Sequence, residues 1–200
     1  VKVYDVVKVG KDELIGEVIE LRRDRASIQV YEETSGLGVG DEVVSTGEPL
    51  SVELAPGIVG GIYDGIQRPL DQIVASYGDR ITRGVRVDKI DRTKKWRFVP
   101  TVKPGSRVKA GDSIGYVKET PIVEHKILVP FGVEGKIEKI TAGEFTVTET
   151  VATVKCDDGK EKELCMLTRW PVRVPRPYKE KQSPDMPMVT GQRVIDTLFP

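Results

Sequence analysis

"IGEVIELRRDRASIQVYE", residues 15–32, is the stretch that decides the fold. Two segments within it, 15–21 and 26–32, alternate apolar and polar side chains with the period of two that is typical of a half-buried strand. The polar "RRDR" between them is short enough for a hairpin turn. Two more short segments, "DEVVSTG" and "LSVELAPG", follow on either side of 47–49. Several short strands at close spacing predict a small antiparallel β-barrel.

One helix is predicted to interrupt these strands, in "RPLDQIVASYG", residues 68–78. Its apolar positions recur at i, i+3, i+4 and i+7 and therefore share one face of a helix. These positions are Leu70, Ile73, Val74 and Tyr77. Pro69 suits the first helical turn, where its missing N–H costs nothing. Gly78 suits a left-handed stop.

The second half of the chain is again predicted to be β. Short apolar segments separated by Gly and Pro occur in 102–119 and 125–149 and predict short strands. The stretch 151–167 predicts a hairpin with an Asp-Gly turn. The segment 169–187 then carries five prolines, which favour an extended connector and mark a domain boundary. Beyond it, Thr190 is a predicted N-cap for a short helix in 191–199 that Pro200 stops.

Composition describes a soluble globular protein of 200 residues, with 31 basic and 31 acidic side chains. This neutral balance gives no electrostatic argument for nucleic acid or anionic lipid. No apolar run approaches the roughly 20 residues of a membrane span. The N-terminus shows no secretory signal and resembles the middle of a domain.

The two cysteines, Cys156 and Cys165, are therefore predicted to be free thiols in a reducing compartment. If Asp158-Gly159 is a two-residue turn, Cys156 faces Glu161 and not Cys165.

Two stretches could carry chemistry, and both favour a structural interpretation. His125 is the one histidine and lies in an apolar strand context, which disfavours a Ser–His hydrolase. "PFGVEGKI", residues 130–137, resembles a phosphate-binding loop. However, Pro130 stands where glycine is needed, Ile137 replaces the Mg²⁺-binding hydroxyl, and a strand follows. We predict a strand turn.

A carrier module is the main alternative. "AGDSIGYV", residues 110–117, resembles turns of lipoyl and biotinyl carriers, and Lys126 is the nearest candidate for a modified lysine. That lysine lacks the methionine neighbours of a biotin carrier. A barrel-sandwich fold is plausible, and a stand-alone binding or carrier module stays open, because a shared fold says little about function.

A basic and aromatic cluster lies in the connector: Arg169, Arg173, Arg176, Lys179 and Lys181 surround Trp170 and Tyr178. Basic plus aromatic composition can indicate nucleic-acid binding. Because Glu180 and Asp185 interleave and the chain is neutral, we predict instead a solvated linker with ion pairs to a neighbour.

Four separated stretches, in order, resemble one family. They are "IQVYEETSGLGVGDEVVSTGEPLSVELAPGIVGGIYDGIQRPL" (28–70), "HKILVP" (125–130), "RWPVRVPRPYKEK" (169–181) and "VTGQRVIDTLFP" (189–200). Together they resemble the catalytic A subunit of V-type and archaeal A-type rotary ATPases. Over 100 residues separate Arg68 from Val189, which favours the A subunit because the B subunit lacks this insertion.

The resemblance implies a mainly β architecture in three parts. Residues 1–69 would be the N-terminal β-barrel without its first strand, which would leave an unpaired edge. Residues 70–174 would be the β-rich, barrel-sandwich-like insertion known as the bulge or non-homologous region. Residues 175–200 would be the proline-rich connector and the first residues of an α/β nucleotide-binding domain.

The same resemblance implies a function for the whole subunit: coupling of ATP hydrolysis or synthesis to H⁺ or Na⁺ transport. The phosphate loop would follow Pro200. We therefore assign no catalytic, cofactor-binding or metal-binding residue, and expect ATP and Mg²⁺ in the full-length protein only. The implied partners are B subunits in an alternating hexameric head and the stalk subunits. The implied location is cytoplasmic, with the membrane reached only through the complex.

Overall fold

The computed structural model describes residues 1–178, 181 and 183–198, and this part of the chain is mainly antiparallel β, as predicted. Its strands are β1 (Asp5–Val9), β2 (Leu14–Arg22), β3 (Arg25–Val30), β4 (Val43–Pro49), β5 (Ser51–Leu54), β6 (Trp96–Pro100), β7 (Arg107–Val108), β8 (Ser113–Lys118), β9 (Glu124–Leu128), β10 (Gly135–Ile140), β11 (Gly143–Phe145), β12 (Thr150–Cys156), β13 (Glu161–Cys165) and β14 (Thr168–Pro171). Its helices are α1 (Leu70–Tyr77) and α2 (Arg193–Leu198).

The first sheet contains the two strands of the opening stretch and has the order β3-β2-β1-β4, with antiparallel neighbours throughout. A small apolar core of Val7, Val9, Leu14 and Val18 lies against it. The register of β2 on β3 shifts between Val18 and Glu20. Burial along β2 does not follow a simple alternation of apolar and polar residues: Glu17 is buried, whereas Ile19 is 47% exposed.

A second and larger core lies in the later part of the chain. Two four-stranded sheets surround it, ordered β13-β12-β10-β7 and β11-β6-β8-β9. Glycine permits close packing at two points. A Cβ on Gly115 would lie 2.5 Å from the Phe98 ring, and one on Gly135 would lie 2.1 Å from the Lys155 carbonyl oxygen. Two strand pairs therefore approach more closely than any side chain would allow.

A separate strand pair connects these two regions. β5 follows the first sheet directly, and it pairs antiparallel with β14, with Leu54 opposite Thr168 and Ser51 opposite Pro171. The larger core is thus built from residues between two strands that lie side by side. The chain therefore enters the larger core after β5 and leaves it before β14, at the same strand pair.

Helix α1 forms where predicted, but its ends and its apolar face differ from the expectation. Pro69 is the N-cap, with φ −70° and ψ 119°, and not a residue of the first turn. Gly78 has the positive φ of 90°, but its ψ of −169° lies outside the left-handed helical region. Ile73 is buried, whereas Val74 and Tyr77 are 56% and 51% exposed. The helix therefore buries Ile73 of the predicted apolar stripe and leaves two of its other members largely exposed.

Helix α2 begins at Arg193 and buries no residue. Thr190 lies too far upstream to be its N-cap; its hydroxyl accepts a hydrogen bond from the Gln192 N–H at 3.2 Å. The Asp196 carboxylate, within the helix, accepts hydrogen bonds from both the N–H and the hydroxyl of Thr190, each at 2.8 Å. The proposed stop at Pro200 lies outside the described residues.

The cysteine hairpin has a different turn from the one considered. The N–H of Cys156 donates to the Lys160 carbonyl at 2.8 Å, so Cys156 faces Lys160 across a three-residue loop. Gly159 closes this loop with φ 83°, the positive-φ position that three-residue hairpins require. Cys156 and Cys165 are both free thiols, as predicted.

Candidate functional site

Three buried glutamates lie where distant segments of the chain meet. Glu17 is 1% and Glu53 is 4% exposed, and the side chain of Glu119 is 2% exposed. A buried carboxylate is costly unless its oxygens are paired and hydrogen-bonded. Each of the three has such partners, and each pairing joins residues that are far apart in sequence.

Glu17, on β2, holds the segment that follows β14. Arg173 donates from Nε to one carboxylate oxygen at 2.8 Å and from Nη2 to the other at 2.6 Å. The Tyr31 hydroxyl donates a third bond at 2.9 Å, and the guanidinium lies over the Tyr4 ring at 4.2 Å. This bidentate geometry is the strong form of an arginine–carboxylate contact.

Charge pairing at this cluster shifts two pKa values in opposite directions. The hydrogen bonds from Arg173, followed by that from Tyr31, lower the pKa of Glu17 despite its burial. Burial and the bond to Glu17 raise the pKa of Tyr31. Glu17 is therefore a carboxylate and Tyr31 a neutral donor at neutral pH.

Glu53, on β5, is held by its side chain and by its backbone. Arg92 pairs with one carboxylate oxygen, and Arg169 on β14 lies 3.4 Å from the other. The Gln67 side chain acts as a neighbouring strand: its Oε1 accepts from the Glu53 N–H at 2.7 Å, and its Nε2 donates to the Glu53 carbonyl at 2.6 Å. The edge of β5 that faces away from β14 is thus closed by one amide.

Lys89 adds a second tie to β5. Its ammonium donates to the Ser51 carbonyl at 2.7 Å. Burial lowers the pKa of Lys89, partly opposed by the negative charge of Glu53. The segment 89–92 is thereby attached to both ends of β5.

Glu119, directly after β8, ties the larger core to the loop that follows β5. One oxygen accepts from the Gly57 N–H at 2.7 Å and from the Val59 N–H at 3.1 Å. The other oxygen lies 2.9 Å from His125 Nδ1. The single histidine therefore has a structural role, as predicted, with a carboxylate as its partner.

A fourth ion-pair group fixes the turn before α1. Arg68 contacts Asp64 at 2.6 Å and Glu32 at 3.1 Å. Burial would raise the pKa of Asp64, but hydrogen bonds from Arg68 and the Ile66 N–H lower it. Glu32 also accepts from the Gly84 N–H at 2.8 Å. This group joins β3's exit to the segment after α1.

The side chains of these four groups are engaged in contacts within the chain. Each carboxylate contacts arginine, histidine or backbone N–H groups of the chain. Within residues 1–178, 181 and 183–198, no group of three or more His, Cys, Asp and Glu side chains is placed to hold a metal ion. The four groups are referred to together as the junction, because they join segments that are far apart in sequence.

The phosphate-loop candidate is a strand turn, as predicted. Gly132 adopts φ 74° in a turn, and β10 begins at Gly135. Gly135 is required because the Lys155 carbonyl lies where its Cβ would be. The glycine-lysine pair therefore reflects strand packing and not phosphate binding.

The carrier candidate is placed wrongly for modification. Lys126 lies in the middle of β9, opposite Tyr116 of β8. A carrier lysine needs the tip of a hairpin, and the tip of this hairpin is formed by 119–123. This position in mid-strand does not favour modification of Lys126.

The basic connector residues pair within the chain itself. Arg169 reaches Glu53, Arg173 reaches Glu17, and Arg176 stacks on Trp170 at 4.8 Å. The ion pairs of Arg169 and Arg173 are therefore made with the first part of the same chain, whereas the predicted ion pairs to a neighbour stay a prediction. Lys179 and Glu180 lie outside the described residues.

Sequence reasoning missed the glutamates and Gln67. A glutamate inside a strand pattern reads as solvent-exposed, and nothing local marks Gln67. The available signal was the pair of arginines at 169 and 173, which favours acidic partners nearby.

The comparisons with known proteins agree along the chain. The model of the ATP synthase alpha/beta family beta-barrel domain matches residues 1–47, and that of the ATPsynthase alpha/beta subunit barrel-sandwich domain matches residues 87–173. Together they cover more than half of the chain.

Curated relatives are similar over nearly every residue. The chain is 62% identical over 199 residues to the V-type ATP synthase alpha chain of Thermoanaerobacter sp. (strain X514), covering 100% of this chain and 34% of that one. It is 60% identical over 197 residues to that of Acetivibrio thermocellus, covering 98% and 33%. It is 62% identical over 198 residues to that of Clostridium botulinum (strain Hall), covering 99% and 33%. The chain thus spans about a third of the length of these relatives. Among the described residues, no helix is long and apolar enough to cross a membrane.

Proposed function

Because the chain belongs to the ATP synthase alpha/beta family, we propose that it is the N-terminal assembly part of the catalytic A subunit of a V-type rotary ATPase. The observation that supports this most strongly is identity of 60–62% to V-type ATP synthase alpha chains along the whole chain. The complete protein would couple ATP hydrolysis or synthesis to H⁺ or Na⁺ transport. ATP and Mg²⁺ would bind to parts of it outside these 200 residues.

The proposed division is a barrel part in 1–69, an insertion in 70–174, and a connector with the start of the nucleotide-binding domain in 175–200. The pairing of β5 with β14 supports this division, because the two strands are neighbours in space and the residues between them in sequence form the larger core. Both family matches fall in the corresponding parts. The length of the insertion favours an A subunit over a B subunit.

Within this proposal the junction has a defined task. The first sheet would pack beside B subunits in an alternating hexameric head on the cytoplasmic side of a membrane. The insertion would project from that head at an angle held by Glu17, Glu53 and Glu119. Buried ion pairs suit such a task because breaking one leaves an uncompensated buried charge, which resists rotation about the β5–β14 pair.

A turnover assay tests the division of labour. We expect the purified 200-residue chain to hydrolyse no ATP above background, alone or with B subunits of the same source. The chain extended to the length of its relatives and assembled with those B subunits should turn over ATP. Turnover by the 200 residues alone, or none by the extended assembly, would contradict the proposal.

Hydrogen exchange tests the task of the junction. Glu119→Ala should remove the protection of the Gly57 and Val59 amides, whose N–H groups it accepts. Glu124→Ala, a change of an exposed glutamate on adjacent β9, is the matched control and should leave both amides protected. Equal protection in both variants would show that Glu119 does not hold the loop.

A further inference from the structure

A groove of ≈ 570 Å³ lies between β9 and β14, next to the junction described above, with which it shares His125 and Arg169. Seven consecutive residues, 125–131, line one side of it. A sheet face presents alternate residues, so consecutive lining means that the edge of the strand faces the groove. Within the described part of the chain, β9 is paired only with β8 and β14 only with β5. The groove therefore runs between two strand edges.

The groove has an apolar interior. Ile127 and Met166 are buried beneath it. Phe131 and Trp170 meet edge to face across it, with ring centroids 5.4 Å apart and an interplanar angle of 70°. Phe131 nevertheless stays 56% exposed, so an aromatic pair stands open to solvent beside an unpaired strand edge.

The charged residues that line the groove are all basic or histidine: His125, Lys126, Arg169 and Arg176. No acidic residue is among the described lining residues. Glu119 orients His125, and Arg169 keeps only long contacts of 3.4 and 3.7 Å to glutamates. Arg176 lies over the Trp170 ring. In a chain with no net charge, this is a local concentration of positive potential.

We propose that this groove binds an extended acidic segment of a partner protein, which adds as a strand to the edge of β9. Strand addition takes affinity from backbone hydrogen bonds and specificity from alternate side chains. Apolar side chains of the segment would pack on Phe131 and Trp170, and acidic ones would face Lys126 and Arg176. This goes beyond the proposed function, because it requires neither ATP nor the remainder of an A subunit.

Fluorescence anisotropy with three labelled peptides tests the proposal. In the first, glutamate and valine alternate; in the second, lysine replaces every glutamate; in the third, proline replaces every second valine and cannot donate a ladder hydrogen bond. We expect binding of the first alone, weakening with salt because the contacts are exposed. Binding of the lysine peptide would overturn the charge argument. Equal binding of the proline peptide would overturn strand addition.

Variants locate the binding surface. Reversing two groove charges, Lys126→Glu with Arg176→Glu, should weaken binding about tenfold, as expected for loss and reversal of two rim contacts. Lys162→Glu, an exposed change on β13 of the other sheet, is the control and should leave affinity unchanged. Circular dichroism confirms that each variant is folded. Equal affinity of all the variants, or no binding of the first peptide to the wild-type chain, would overturn the proposal.

Discussion

Replacement of Gln67 by methionine tests the role of one side chain as a substitute strand. The Gln67 amide makes two buried hydrogen bonds to the Glu53 backbone, of 2.7 and 2.6 Å. Gln67 also adopts φ 65°, a left-handed conformation that costs a non-glycine residue about 1 kcal/mol. Methionine preserves side-chain length and the same backbone strain, so the comparison isolates the amide.

The expected loss follows from the groups left without partners. An unsatisfied buried donor or acceptor costs about 1–3 kcal/mol. The Glu53 N–H and carbonyl would both lose their partner in surroundings where Glu53 is 4% and Gln67 6% exposed. We expect Gln67→Met to lower the free energy of unfolding by about 3 kcal/mol, and the melting temperature by about 9 °C in a chain of this size.

Urea denaturation supplies the measurement, and hydrogen exchange at the Glu53 amide supplies a local one. Gln29→Met, a change of an exposed glutamine on β3, is the matched control and should shift stability by no more than about 0.5 kcal/mol. The local measurement matters because the two cores can unfold separately. If Gln67→Met costs no more than Gln29→Met and the Glu53 amide stays protected, the amide does not close this edge.

Three further changes give measurable outcomes. Glu17→Gln should lower the urea midpoint at pH 7. Because the pKa of Glu17 in the folded chain is lowered from 4.5, the carboxylate stabilises the fold above pH 4.5, and this stabilisation is lost as the pH falls through the folded-state pKa. The urea midpoints of the two proteins should therefore converge in acid. Gly135→Ala should destabilise by about 3 kcal/mol in thermal melts because its Cβ meets a backbone carbonyl, whereas Gly65→Ala, in open space, should not. Ile73→Asp should abolish the folded α1 signal in hydrogen exchange, whereas Val74→Asp, at a 56% exposed position, should leave it intact.

The local alternation of apolar and polar residues was enough to locate the strands, but it did not show which face of each strand is buried. Alternation located β2 and β3 because a strand's period is a property of its own residues. Which residues are buried depends on what covers each face, and Glu17 is buried where Tyr31 and Arg173, from other parts of the chain, bond to its carboxylate. The same limit applies to α1: periodicity gave the apolar stripe, but whether Val74 is covered depends on elements far away in sequence.

The junction could not be derived from any local window. Glu17 and Arg173 are separated by 156 residues, so neither predicts the other by spacing. Gln67 acts through geometry alone, since its amide replaces a strand that the sequence does not contain. What the sequence did supply was the excess of arginine around β14, and hence the expectation of acidic partners.

The positions of these contacts bear on the proposal that the junction holds the insertion at a fixed angle. A two-stranded pair such as β5–β14 is marginally stable by itself and can twist. Glu53 and Arg169 bond across the middle of the pair, Arg173 ties its far end to Glu17 in the first sheet, and Glu119 ties the loop after Leu54 to the larger core. Under the proposal, three separate attachments would restrict rotation about the β5–β14 pair more than one would. Apolar packing at the same points could give equal stability, but it would accept several registers, whereas a bidentate arginine–carboxylate bond accepts one.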